Sequence, residues 1–319
     1  MIDLVGTLGQ SLLSGFCMLL LASCCCALLY PFYCGLQRRL SIAHQALSTL
    51  CFALIAPLSA LLGVVVLSHP AISATVVYAH CHGNNCAAHV PASIMNSLSG
   101  AGLGACVALL ALASFYMMSK KIQTARAKQL FLDALASPAA AQQKTDSSTK
   151  QGLMPYQLIE SDDLLAWCAG LLFPKVYLSS GLVNELSRVQ LNAVLAHEHG
   201  HVSRRDNLRK LVLSWSTVLW LPLHKKHIQQ HFRGQTEQLS DQYSAHITGN
   251  PQLVNQVYAL FRPVNQTPHG DYAHRDTATQ VEPTGHVLST VGVYMVSSLL
   301  FVLLSLSLTM ITHVLLEKL

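Results

Sequence analysis

Charge is what this chain is short of. Only 11% of its 319 residues are Asp, Glu, Lys or Arg, against about 25% in a typical soluble domain. Hydrophobic residues make up 51% and the mean hydropathy is +0.39. An ordinary soluble domain is excluded, which leaves a membrane protein with a soluble part. The net charge of +5 is modest. Its basic residues cluster beside apolar runs, the pattern of cytoplasmic loop ends rather than of a nucleic-acid surface, so no direct nucleic-acid partner is expected.

Two local absences orient the chain. No Lys or Arg precedes the first apolar run, and Asp3 is the only charge there. The basic region of a signal peptide is therefore missing, although Leu21-Ala22-Ser23-Cys24 matches a lipoprotein cleavage pattern. The run at about 11–30 reads as an uncleaved first transmembrane helix. Arg38 and Arg39 mark the loop after it as cytoplasmic, before a second span at about 42–68. Lys and Arg are also absent from 69–91, which places that loop outside. A third span covers about 93–118, and Lys120, Lys121, Arg126 and Lys128 return the chain to the cytoplasm. Gly100-x-x-x-Gly104 within this span allows close helix contact, compatible with a homodimer. Residues 119–286 form a cytoplasmic domain with a flexible linker at 137–152, and 287–319 carries the fourth span. Thr290, Ser297, Ser305 and Thr312 form a polar stripe on it that suits the other spans. No tail of sensor-domain size is expected after it.

A disulfide scaffold is also missing, despite ten cysteines. Cys17, Cys24, Cys25, Cys26, Cys51 and Cys106 lie in apolar runs and read as small packing residues. Cys81 and Cys86 sit in a polar outside loop with His80, His82 and His89. An oxidising compartment favours a Cys81–Cys86 disulfide. Two thiols and three imidazoles also suit copper or zinc, so metal sensing stands as the alternative.

The chemistry is concentrated in Ala193-Val194-Leu195-Ala196-His197-Glu198-His199-Gly200-His201-Val202. It contains H-E-x-x-H. One helical turn separates His197 from His201, so both imidazoles can reach one metal ion. Glu198 is then the candidate base for a metal-bound water. Catalytic zinc needs three protein ligands and an open position. Glu237-x-x-x-Asp241 follows, with Glu237 lying 36 residues beyond His201, and offers a third ligand. His199 points to another helix face and reads as a packing or surface residue. Arg204-Arg205-Asp206 reads as a charged exit toward the membrane surface. Leu211 to Leu223, with Trp215, Trp220 and Pro222, is short for a span and suits an interface or a core. Tyr156 to Glu160 and Pro174 to Leu178 read as short strands. Lys175, Val176 and Tyr177 are expected at an exposed edge that holds an extended substrate, or in a hairpin that supports the metal helix.

The run Leu172-Phe173-Pro174-Lys175-Val176-Tyr177-Leu178, then Gly181-Leu182, then Leu191 to His201 with Arg204-Arg205-Asp206-Asn207-Leu208, resembles the BlaR/MecR-type membrane metallopeptidases. These are gluzincins, related to the HtpX and CAAX-prenyl endoproteases, and the resemblance covers about 156–245. It implies Zn2+ held by His197, His201 and Glu237, with Asp241 supporting a histidine ligand. It also implies cleavage of a cytoplasmic repressor, and of the protease itself, after an outside signal. The penicillin-binding sensor domain of some members is not expected here, and with it no β-lactam signal. His246, His269 and His274 match a transition-state-stabilising residue by type only. The expected architecture is thus a mainly α membrane protein of the bacterial inner membrane. Four transmembrane helices carry a cytoplasmic α+β gluzincin-like protease domain between the third and fourth. Two alternatives are an HtpX-like quality-control protease and a non-proteolytic membrane metal sensor. The first usually has membrane helices between its H-E-x-x-H and its acidic motif. An intact Glu198 disfavours the second.

Overall fold

The computed structural model describes residues 2–69, 72, 80–82, 85–87, 98–138, 154–253, 256–257 and 287–318. Two long helices come first, α1 (Ile2–Gln37) and α2 (Ile42–Ser68), then a small hairpin of β1 (His80–His82) and β2 (Asn85–Ala87). The third long helix, α3 (Leu98–Leu135), leads into β3 (Ser137–Pro138), β4 (Gln157–Ile159), β5 (Ala166–Ala169) and β6 (Lys175–Ser179). Four helices follow: α4 (Ser180–Glu185), α5 (Arg188–Arg204), α6 (Asp206–Ser216) and α7 (Pro222–Thr248). The described chain ends with α8 (Val287–Lys318).

Four of these helices are long and apolar enough to cross a membrane, over Leu12–Gln37, Ile42–Val66, Ala105–Leu135 and Thr290–Thr312. By length and composition this is a membrane protein. In α1 and α2 the contact is aromatic: Tyr33 stacks on Phe52 with ring centroids 4.3 Å apart. The polar stripe of α8 turns inward, as its spacing suggested. The Ser297 hydroxyl lies 2.6 Å from Tyr33 Oη, and Ser305 Oγ donates to Ser59 Oγ at 3.1 Å. Hydroxyls that meet one another in this way bind helices together where no water competes.

The third span and the basic stretch after it form one helix of 38 residues. At 1.5 Å per residue that is about 57 Å, well beyond the ~30 Å of a bilayer core. Its last turns reach the four-stranded sheet, whose order is β3-β4-β6-β5. The central pair, β4 and β6, is parallel and sets Leu158 opposite Leu178, while β5 runs antiparallel to β6 and sets Cys168 opposite Val176. Strand alternation then sorts the two faces. Val176 and Leu178 pack against Leu182, Val194 and Leu195 of α4 and α5. Tyr177 and Trp167 stack at 5.9 Å on the other face, beside Leu132 of α3.

The sheet corrects one expectation. Lys175, Val176 and Tyr177 do not form an open edge, because β6 lies between β4 and β5. Their side chains are also engaged. Lys175 Nζ meets both oxygens of Asp133 at 3.0 Å, Tyr177 Oη donates to Asp133 Oδ1 at 2.7 Å, and Val176 is buried. Among the described strands the edges are β3 and β5, and β5, the one beside β6, is too short a run to stand out between Asp162-Asp163 and Gly170. The expected linker is also shortened, since Ser137 and Pro138 pair with Leu158 and Gln157. The rest of that linker, most of the loop at 69–91, His269 and His274 lie beyond the described residues. In the hairpin, the backbone register sets Cys81 opposite Cys86.

The stretch Leu211 to Leu223 forms the corner between α6 and α7. Leu213 and Trp220 from it, with Ile228 and Phe232 of α7, join one apolar core with Tyr30, Phe52, Ala53 and Ala56 of α1 and α2. Its outer side keeps Trp215, Val218, Leu221 and Leu223 exposed. Such a corner suits a bilayer interface on one side and a protein core on the other.

Candidate metal centre

The centre is built on α5. Ser187 caps it with a reciprocal capping box to Gln190, and Leu191, Val194 and Leu195 seat it on the sheet. This packing carries the H-E-x-x-H turn into the interior. His197 is 1% exposed, and Glu198 and His201 are each 6% exposed.

The two imidazoles face one another with His201 Nε2 3.2 Å from His197 Nε2. Glu237 Oε2, from α7, lies 3.5 Å from each of these nitrogens. Three donors thus form a triangle with sides of 3.2, 3.5 and 3.5 Å. Tetrahedral zinc with ligands at 2.0–2.1 Å needs donors about 3.3–3.4 Å apart, so this set fits that ion. The outward nitrogens fit as well. His197 Nδ1 is 2.9 Å from Asp241 Oδ1, and His201 Nδ1 is 2.8 Å from Asp206 Oδ2. A carboxylate at each Nδ1 favours the proton there and leaves the Nε2 lone pair facing inward.

The same contacts set the electrostatics of the site. Burial disfavours the charged form of His197, but contact with Asp241 and Glu237 raises its pKa to about 9. His201 also rises despite its burial, through Asp206 and Glu237. Glu237 resists burial and stays well below the usual carboxylate range because both imidazoles hold its charge. Burial raises Glu198 against the pull of the two histidines. Four carboxylates thus surround the two imidazoles, a donor set whose inward Nε2 and Oε2 atoms could hold a divalent cation.

Asp206 and Arg204 are the residues that sequence reasoning misplaced. They do not exit toward the membrane surface. Asp206 is 1% exposed. Arg204 Nη2 bridges Asp206 Oδ2 at 2.8 Å, Ser240 Oγ at 2.7 Å and Thr236 O at 3.1 Å, and so ties α5 to α7. The turn depends on Arg205, which takes the left-handed region at φ 52°. That reversal starts α6 at Asp206 and swings its carboxylate back onto His201, a placement that helical spacing does not reveal. The next residue fixes the edge strand, as Asn207 Nδ2 donates to Cys168 O and Gly170 O, each at 3.2 Å. β5 therefore runs beside the centre, where burial raises the Cys168 thiol to about 12. His199 lies on the other side of α5, with Nε2 2.8 Å from Pro155 O, a packing role as its spacing implied.

Residues 126–265, 140 of the 319, match the model for Peptidase family M48. That stretch contains the whole centre and all four strands of the sheet. The match covers less than half of the chain, and what that part is similar to is a family of metallopeptidases. No curated protein and no solved structure matches the chain.

Proposed function

We propose that this protein is a membrane-embedded zinc endopeptidase. The observation that carries the reading is the donor triangle of His197, His201 and Glu237, with Glu198 buried beside it. Zinc held there supplies a water acidified toward neutral pKa and an electrophile for the scissile carbonyl. Glu198 takes the water proton and returns it to the leaving amine. Asp241 and Asp206 orient the two histidines. The substrate is an extended polypeptide, and the free edge of β5 offers main-chain pairing beside Glu198.

Within this class we favour a regulatory protease of the BlaR/MecR type. Its catalytic domain would lie at the cytoplasmic face of a bacterial inner membrane and cut a repressor-like protein, and itself, as a monomer or homodimer. Support comes from the stretch between His201 and Glu237. Among the described residues it holds only α6, of 11 residues, and the start of α7, with no helix suited to span a membrane. An HtpX-like quality-control protease is the alternative. The Cys81–Cys86 pair, opposed in register, suits an outside disulfide that braces the loop between the second and third spans.

The test is Glu198→Gln in the full-length protein in nanodiscs, assayed on fluorescein-labelled casein and for cleavage of its own chain. Zinc content should match the parent while cleavage falls by at least three orders of magnitude. Cleavage at the parental rate would remove Glu198 from the mechanism. Appearance of one cut repressor on induction would favour regulation, whereas broad turnover of damaged membrane proteins would favour quality control.

A further inference from the structure

Hydrolysis of a peptide builds negative charge on the carbonyl oxygen, and the arrangement above assigns no side-chain donor to share it with the metal. As water adds to the carbonyl carbon, the π electron pair moves onto the carbonyl oxygen. Preorganised donors aimed at that oxygen are often a large part of catalysis. His246 is no help, since it lies nine residues beyond Glu237 on α7, about 180° around the helix, and is exposed.

Arg204 and Lys210 both meet carboxylates of the centre. Arg204 is committed to Asp206, Thr236 and Ser240. Lys210 is different. It stands one turn after Asp206 on α6, and its Nζ lies 3.7 Å from Glu237 Oε1. That is the outer oxygen, because Oε2 is the one that faces both histidines. The Lys210 side chain remains 34% exposed, so it is not sealed in the interior. Its charge also reaches Glu198 and Cys168 of β5. The single short helix α6 therefore presents Asp206 to His201, Asn207 to β5 and Lys210 to the open side of Glu237.

We propose that Lys210 is a catalytic residue, whose ammonium donates a hydrogen bond to the scissile carbonyl oxygen of a peptide laid along β5 as that oxygen becomes negative. The assignment rests on the endopeptidase reading. Lys210 keeps its own proton throughout. The proton from water goes to Glu198 and then to the amine nitrogen as the C–N bond breaks, while the electron pair on oxygen returns to form the new carboxyl group. Lysine suits this place because a flexible stem can leave one acceptor for another.

The test uses zinc-loaded full-length protein in nanodiscs, with casein as substrate and a phosphinic peptide as a tetrahedral anionic probe. Loss of one such donor costs about 10²–10³ in kcat. Lys210→Ala should show that fall with KM within about threefold of the parent, the mark of an interaction made chiefly in the transition state. Affinity for the phosphinic peptide should drop by a comparable factor, with zinc content and Tm unchanged. Lys210→Arg should recover part of both. Parental kcat in Lys210→Ala overturns the proposal, and so does loss of zinc or of fold that explains the whole effect. Glu198→Gln runs alongside: a parent active only with Glu198 upholds the endopeptidase reading even where Lys210 fails, whereas activity indifferent to Glu198 overturns both.

Discussion

At Gly200 the metal helix and the third-ligand helix come as close as backbone allows. A Cβ there would stand 3.1 Å from both Cα and Oγ of Ser240, three residues past Glu237. Ser244 Oγ donates to Ala193 O at 2.7 Å one turn further along, so the two helices cannot part easily. Gly200→Ala must push α7 outward by a few tenths of an ångström and take Glu237 Oε2 with it. Overpacking of this kind costs about 1–3 kcal/mol. Disturbed support of a metal ligand lowers affinity about 10–100-fold. Zinc titration against a competing chelator measures the effect, and affinity within twofold of the parent would show that the close approach is not required. Arg205 belongs to the same scale. Its left-handed backbone is uncommon for a side chain of that size, yet it sets the direction of α6 and so the reach of Asp206 and Lys210.

Between elements, the contact of α1 with α7 joins a membrane span to the helix that carries Glu237. Tyr30 Oη lies 2.7 Å and Cys34 Sγ 3.2 Å from His231 Nδ1, and Gln235 Nε2 is 3.3 Å from His231 Nε2. Burial lowers the pKa of His231, and the nearby charges of His227 and Arg38 lower it further. Its folded form is therefore neutral where an unfolded chain, with a histidine pKa near 6.5, begins to bind protons. Stability from this group is complete above about pH 6.5 and is lost as pH falls below it. Thermal unfolding of the parent should weaken between about pH 7 and pH 5, and His231→Gln should flatten that slope. Equal slopes in both proteins would clear His231 of the effect.

For the whole molecule, the spans and the metal-bearing half share one apolar core, in which Trp220 meets Tyr30 at 5.9 Å and Phe52 at 6.2 Å. Removal of the metal should therefore register beyond the site itself. A ligand bound only by the folded state stabilises it by about 4 kcal/mol at a thousandfold excess over its Kd. Chelation of zinc should lower Tm, and re-addition should restore it, in the parent and in Glu198→Gln alike. An unchanged Tm after verified zinc loss would separate the centre energetically from the fold.

Spacing within single helices was legible from the residues alone. The four apolar runs, the H-E-x-x-H turn, the Glu237-x-x-x-Asp241 turn and the inward stripe of Ser297 and Ser305 all follow from periodicity, which is local physics. What needed the tertiary structure was everything set by a change of direction. The left-handed turn at Arg205 brings Asp206 to His201 and Lys210 to Glu237, where the bare sequence showed only a cluster of charge. Sheet order likewise decided that β5, rather than Lys175 to Tyr177, lies at an edge, because strand pairing is a long-range choice that residue preference does not determine. The motif thus named the donors, and the packing of α6 and α7 around them decided which charges stand within reach.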